Sequence, residues 1–200
     1  MGITKVILLT GQDEAPPLTR MLMQANGALA VRPAHDLGAL AAEIAPGARL
    51  LSFCSSVVVP GALLATLGQP GYNFHPGPPE RPGRYPSVFA LFEGAAEFGI
   101  TVHEMAAKVD SGPIVMTERF AIPPDSDLDA LESLTLIRLA RAFGRMAPYF
   151  ANVARPLPHL PVAWSGRKTT RADFEALRAV TPEMDAAEIG RRRRACGGID

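Results

Sequence analysis

Asn73 and His75 stand two positions apart with Pro76 directly behind them, and Asp110 follows thirty-seven positions after Asn73 in the run Lys108-Val109-Asp110-Ser111-Gly112-Pro113. The three side chains are an amide with two N–H donors, an imidazole that donates a further bond when protonated, and a carboxylate that accepts. Groups of this kind, gathered around one reacting atom, stabilise negative charge and move a proton. In a strand, residues two apart point to the same face, so Asn73 and His75 can be presented together. Pro76 reinforces this by pushing the backbone of His75 toward extended geometry. Four prolines and two glycines then fill the eight residues from Pro76 to Gly83, a stiff wall suited to holding a pocket's shape. Glycine and proline after Asp110 signal a tight turn, which sets the carboxylate at the end of a strand or just past it.

The elements that must position these residues can be read from hydrophobic pattern and punctuation. Residues 5–10 form a continuous apolar run ending at Gly11, as a buried strand does. Pro16 and Pro17 suit the first turn of a helix whose apolar positions Leu18, Met21, Leu22 and Ala25 recur at helical spacing before Asn26-Gly27. A weak strand over 28–32, an alanine-rich helix over 37–45, a strand over 49–54 and a short helix over 62–67 follow. Strands alternating with helices at this spacing predict an α/β fold, a doubly wound sheet with parallel strands at least in the first half. Residues 72–75 and 100–105 read as two further strands, separated by the proline-rich loop and a helix beginning near Ser87, and 119–122 as an edge strand. Ser126 with Asp129 resembles a capping box opening a long helix that ends near Phe150 or Val153. Beyond the stiff stretch 156–161, Thr169 or Thr170 caps a short helix, and a last helix spans 186–195.

Composition narrows the function. Hydrophobic residues are 48% and charged residues 20% of 200, enough apolar surface for a core. Twenty basic and twenty acidic residues cancel, so nucleic acid is not an expected partner. No apolar run approaches the roughly 18 residues that span a bilayer, and the N-terminus lacks a signal-peptide pattern; a cytoplasmic protein without membrane contact is expected. Cys54 and Cys196 are the two cysteines, with Cys54 read as a buried reduced thiol. The histidines show no metal-ligand spacing, so no metal is expected. His103 reads as a structural or pocket-edge residue, His35 and His159 as solvated loop residues, and the run Arg191 to Arg194 as a solvated helix end.

The segments Asn73-Phe74-His75-Pro76 and Gly99-Ile100-Thr101, with the later Asp110-Ser111-Gly112, resemble the signature of the 10-formyltetrahydrofolate-dependent formyltransferases, over roughly residues 50–115. The resemblance implies a Rossmann-like, mostly parallel sheet, abbreviated at the N-terminus and followed by a helical extension. A catalytic domain over 1–155 is expected, with residues 156–200 packed on it or leading to a further region. The resemblance also assigns catalysis to Asn73, His75 and Asp110. An amine attacks the formyl carbon on N10 of the folate, Asn73 and protonated His75 stabilise the oxyanion, and Asp110 favours the imidazolium and helps carry the proton from amine to N10. The formyl donor, 10-formyltetrahydrofolate, is expected along Ser56, Val57 and Val58 before Pro60, with Ala107, Lys108 and Val109 on its other side.

Gly77, Pro78 and Pro79 stand where the family commonly has Ser and then Leu-Leu-Pro, altering the wall beside the triad. The loop over residues 11–17 lacks a glycine-rich phosphate cradle and carries Asp13 and Glu14, which argues against glycinamide ribonucleotide as acceptor. The stretches 164–174 and 188–195 look like those of sugar N-formyltransferases. The expected partner is therefore a small-molecule primary amine, on a nucleotide-linked amino sugar, and a homodimer is compatible with the sequence. Hydrolysis of the same donor, and noncatalytic folate binding, are alternatives that the triad alone does not separate.

Overall fold

The computed structural model describes residues 2–198. Six strands form one sheet in the order β2-β1-β3-β4-β5-β6: β1 Lys5–Leu9, β2 Ala30–Ala34, β3 Arg49–Phe53, β4 Tyr72–His75, β5 Glu97–Glu104 and β6 Ile114–Ala121. The first four are parallel. Their register aligns Ala34, Leu9, Ser52 and Asn73 in one row across the sheet.

The second half reverses direction. Met105 N–H donates to Gly71 O, and Thr101 Oγ1 donates to Gly77 O, a pairing that falls as β4 rises and therefore runs β5 antiparallel to β4. Glu104 N–H donates to Pro113 O and Ile122 N–H to Ala96 O, closing β5 and β6 into a hairpin. The sequence predicts β6 only over 119–122; its true start at Ile114 was hidden because Ile114, Val115 and Met116 do not alternate in polarity.

Helices α1 Ala15–Ala25, α2 Leu37–Glu43, α3 Gly61–Thr66, α4 Pro86–Phe92, α5 Leu128–Asn152, α6 Arg171–Arg178 and α7 Ala186–Cys196 complete the chain. Asp36 caps α2 by accepting from Ala39 N–H. Thr170 and Asp173 form a reciprocal capping box on α6. The expected cap of α5 is displaced by one residue: Asp127 accepts from Ala130 N–H, while Ser126 Oγ donates to Pro123 O. Among the described residues no helix is long and apolar enough to cross a membrane.

The chain divides into two compact units. The first comprises residues 2–75, 102–116 and 139–162 of the described chain. One face of its sheet buries Ile7, Leu9, Leu40, Leu50 and Leu67 with Val59. Phe53, Phe74, Phe143 and Phe150 interlock as a second cluster at ring separations of 5.1 to 6.0 Å. Arg49, fully buried, ends this unit's core. Its guanidinium donates to the carbonyls of Val153 (2.8 Å) and Ala154 (3.1 Å) and to Gln69 Oε1 (3.2 Å), beside the rings of Tyr72 and Phe150. It satisfies carbonyls at the end of α5 that the helix leaves open, and burial pushes its pKa down.

The second unit comprises residues 76–101, 117–138 and 163–198 of the described chain. Here the proline-rich loop is pinned as a wall should be: Ser165 N–H donates to Pro79 O, Thr169 N–H to Pro82 O and Arg84 N–H to Thr169 O. Gly83 and Gly166 have positive φ, and a Cβ on either would run into backbone of the opposing segment. Arg191 and Arg192 are not a freely solvated end, because both lie over the Phe92 ring, and Arg192 donates to carbonyls closing α6.

Arg49→Met should lower the unfolding free energy by about 3 kcal/mol, by leaving buried carbonyls unpaired. Urea titration with unchanged stability would show that the guanidinium is not needed there.

Candidate active site

Strand β4 ends in the residues that matter. Asn73 is half-buried and His75 is 3% exposed, one on either side of Phe74, whose side chain takes the opposite face into the aromatic cluster. Hydrophobic burial of Phe74 thus orients its two polar neighbours.

Asp110 arrives from the β5–β6 connection, which folds back over the sheet. Gly112 permits the fold: a Cβ there would overlap the carbonyl of Glu104. Asp110 itself has φ +50°, a left-handed conformation that costs a non-glycine residue roughly 1–2 kcal/mol. It is 7% exposed. Its Oδ2 lies 3.6 Å from His75 Nδ1, while Oδ1 lies 3.3 Å from Nε2 of a second imidazole, His103. The structure therefore brings Asn73, His75 and Asp110 into one buried cluster.

His103, which its strand pattern predicts as a structural or pocket-edge residue, is a member of that cluster. Antiparallel pairing sets it directly opposite Asn73 on β4, where cross-strand side chains meet. Its Nδ1–H donates to Glu104 O at 2.8 Å, leaving Nε2 to face Asn73 Nδ2 at 3.1 Å as well as Asp110. Nε2 serves one of the two at a time: in the neutral ring it accepts from the Asn73 amide and fixes which end of that amide is which, and in the charged ring it donates to Asp110. The remaining N–H of the amide is the one available to another acceptor. The alternation of β5 signals an inward position for His103; its role required the direction of β5, which the sequence pattern did not reveal.

The two segments expected beside a folate are neighbours. A Cβ on Gly61 would stand 3.0 Å from Ala107 Cβ, so the loop entering α3 and the turn before Asp110 touch. Val57 packs half-buried against the core, Ser56 is exposed, and Val58 is exposed by 55%. Val57 N–H is taken by Ser55 Oγ. Ala107 and Lys108 are exposed, Val109 is half-buried, and Ser111 Oγ donates to Lys108 O. Cys54, expected as a buried thiol, is exposed with φ +49°, because β3 ends at Phe53 and the chain turns outward there. Among the described residues no cluster of His, Cys, Asp and Glu could hold a metal ion.

The sequence pattern of the formyl transferase family matches residues 14–138, well over half of the chain. The chain belongs to the formyl transferase family. Solved structures agree in fold. A Mycobacterium tuberculosis protein provisionally assigned as a sugar N-formyltransferase superposes with a TM-score of 0.77 at 23% identity, over 96% of this chain and 87% of that one. The N-formyltransferase of Helicobacter canadensis, solved with folinic acid and dTDP-3-aminofucose, gives 0.71 at 16% identity over 97% and 80%. A 4-N formyltransferase from Francisella tularensis gives 0.77 at 15% identity over 96% and 88%. This formyl transferase shares their mainly parallel sheet and helical C-terminal segment.

The strained backbone at Asp110 can be measured apart from chemistry. Asp110→Gly and Asp110→Ala both remove the carboxylate, but glycine alone relieves the left-handed geometry. Thermal or urea unfolding should find the glycine variant more stable by about 1 kcal/mol; an alanine variant of equal or greater stability would show that no strain is held.

Proposed function

We propose that this chain transfers a formyl group from 10-formyltetrahydrofolate to a primary amine on a nucleotide-linked amino sugar. The observation that carries the reading is the meeting of Asn73 and His75 of β4 with Asp110 of the β5–β6 connection in one largely buried cluster of a formyl transferase. Burial matters because hydrogen bonds to a developing charge are stronger where water is excluded.

In the reaction a bond forms between the amine nitrogen and the formyl carbon, the bond to folate N10 breaks, and a proton passes from the amine to N10. Asn73 would donate its free amide N–H to the formyl oxygen as that oxygen gains negative charge. His75 would donate to the same oxygen in its protonated form. Asp110, shared between His75 and His103, would accept or relay the amine's proton.

The segments for the folate fit its chemistry. Residues 55–59 offer main-chain donors and acceptors beside exposed Val58, a combination suited to a flat heterocycle with a polar edge. The turn through Ala107, Lys108 and Val109 abuts the start of α3 through the close approach of Ala107 to Gly61, so both sides of a ring can be covered. Support for the acceptor comes from the sugar N-formyltransferases of the same fold, one of them solved with folinic acid and a dTDP-linked amino sugar.

Purified protein supplied with 10-formyltetrahydrofolate and a panel of nucleotide-linked amino sugars should yield an N-formyl product by mass spectrometry. Asn73→Ala should reduce turnover by about 10²- to 10³-fold with melting temperature nearly unchanged, and His75→Ala should reduce it by at least as much while also lowering the melting temperature, because buried Asp110 loses a partner. Release of formate at the same rate with and without amines would overturn transfer in favour of hydrolysis, and wild-type rates in either variant would overturn the mechanism.

A further inference from the structure

A groove of about 750 Å³ runs along α1 beside the edge strand β2, lined by Gln12, Pro16, Arg20, Met23, Pro33 and His35 among others. Its walls are apolar: Met23, for example, is 48% exposed, a large uncovered side chain on a helix that otherwise buries Leu18 and Leu22. Its rim carries an amide, a guanidinium and an imidazole. Nothing in the chemistry of Asn73, His75 and Asp110 uses it.

The His35 end of the groove lies at the carboxyl edge of the sheet, as Asn73 and His75 do. His35, expected in a solvated loop, is exposed yet tethered: its Nδ1–H donates to Thr10 O at 2.7 Å. Thr10 N–H donates to Ala34 O, and Thr10 Oγ1 donates to Phe53 O at 2.9 Å. Cys54 N–H donates to Phe74 O at the next junction. This run of bonds crosses from β2 through β1 and β3 to β4, beside the row Ala34, Leu9, Ser52 and Asn73. Three strand spacings of about 4.8 Å separate the two ends, roughly 14 Å. An amine on a sugar, followed by two phosphates and a nucleoside, is a ligand long enough for that path.

We infer that the groove between α1 and β2 is the subsite for the nucleobase of the acceptor. With Nδ1 donating to Thr10, the neutral His35 ring presents Nε2 as an acceptor, which suits the imide N–H of a uracil- or thymine-type base. Arg20 supplies donors for the base's carbonyls, and Gln12 can do either. Met23, Pro16 and Pro33 supply apolar contact for the ring. Asp13 and Glu14 in the adjoining loop disfavour a phosphate at this end, consistent with an uncharged base there. The inference rests on the proposal of a nucleotide-linked acceptor but makes a separate claim about where the nucleotide binds.

Calorimetry of thymidine diphosphate alone with the full chain tests it without any turnover, alongside KM for a nucleotide-linked amino sugar and for the same amino sugar lacking the nucleotide. His35→Ala and Gln12→Ala should each weaken thymidine diphosphate binding about tenfold, the scale of one lost hydrogen bond. Both should raise KM for the nucleotide-linked acceptor alone, with kcat and the donor's KM unchanged. Thr19 also lines the groove, and Thr19→Phe, which fills it, should do the same by bulk, with folding of each variant checked by its melting temperature. Failure of wild type to bind thymidine diphosphate, or unaltered binding in all three variants, overturns the subsite while leaving formyl transfer standing. Groove-dependent nucleotide binding in a protein that formylates no amine supports the subsite and overturns the proposed reaction.

Discussion

One carboxylate held between two imidazoles, all nearly out of water, is the constraint around which the rest of this structure is arranged. A buried carboxylate is costly unless its oxygens are occupied. Asp110 meets His75 with one oxygen, and its other oxygen lies 3.3 Å from the His103 nitrogen, which donates to it only when that ring is charged; it does so from a left-handed backbone position. The cost in strain and desolvation is offset by surrounding order: Gly112 lets the turn close on Glu104, Phe74 anchors the strand beneath, and Glu104 O fixes the His103 tautomer. Strained, buried polar clusters of this kind persist where chemistry uses them.

The reversal of β5 is what completes the cluster. Four parallel strands present Asn73 and His75 at the end of β4, but an amide alone can rotate so that oxygen and nitrogen exchange places. Running β5 antiparallel lays His103 opposite Asn73, and in the neutral ring the imidazole nitrogen selects the amide's donor end. Donors aimed in advance lower a barrier more than donors that must reorganise during the reaction. In the proposed reaction a reversed strand would thus preset one hydrogen bond.

Much of this was legible in the residues. Apolar runs punctuated by Gly and Pro marked β1, β3 and β4, with β4 matching Tyr72–His75 at both ends. The cap at Thr170 was readable because threonine followed three residues later by an acid forms reciprocal bonds. The spacing of Asn73, His75 and Asp110 suggested a shared site, and the coordinates bring the three together. What escaped depended on tertiary direction. The orientation of β5 has no local signature, so His103 looked like an inward strand residue. Cys54 looked buried because its neighbours are apolar, yet the strand ends one residue earlier. His35 looked solvated because no pattern marks a side chain bound to a distant carbonyl.

If His103 acts through the Asn73 amide, the two residues are coupled, and a double-mutant cycle measures that coupling directly. Single-turnover rates of formyl transfer would be compared for wild type, Asn73→Ala, His103→Leu and the double variant. His103→Leu should slow the wild-type reaction strongly but add little once Asn73 is gone. Losses that simply multiply would mean that the two residues act independently, and the preset amide would not be the basis of this site.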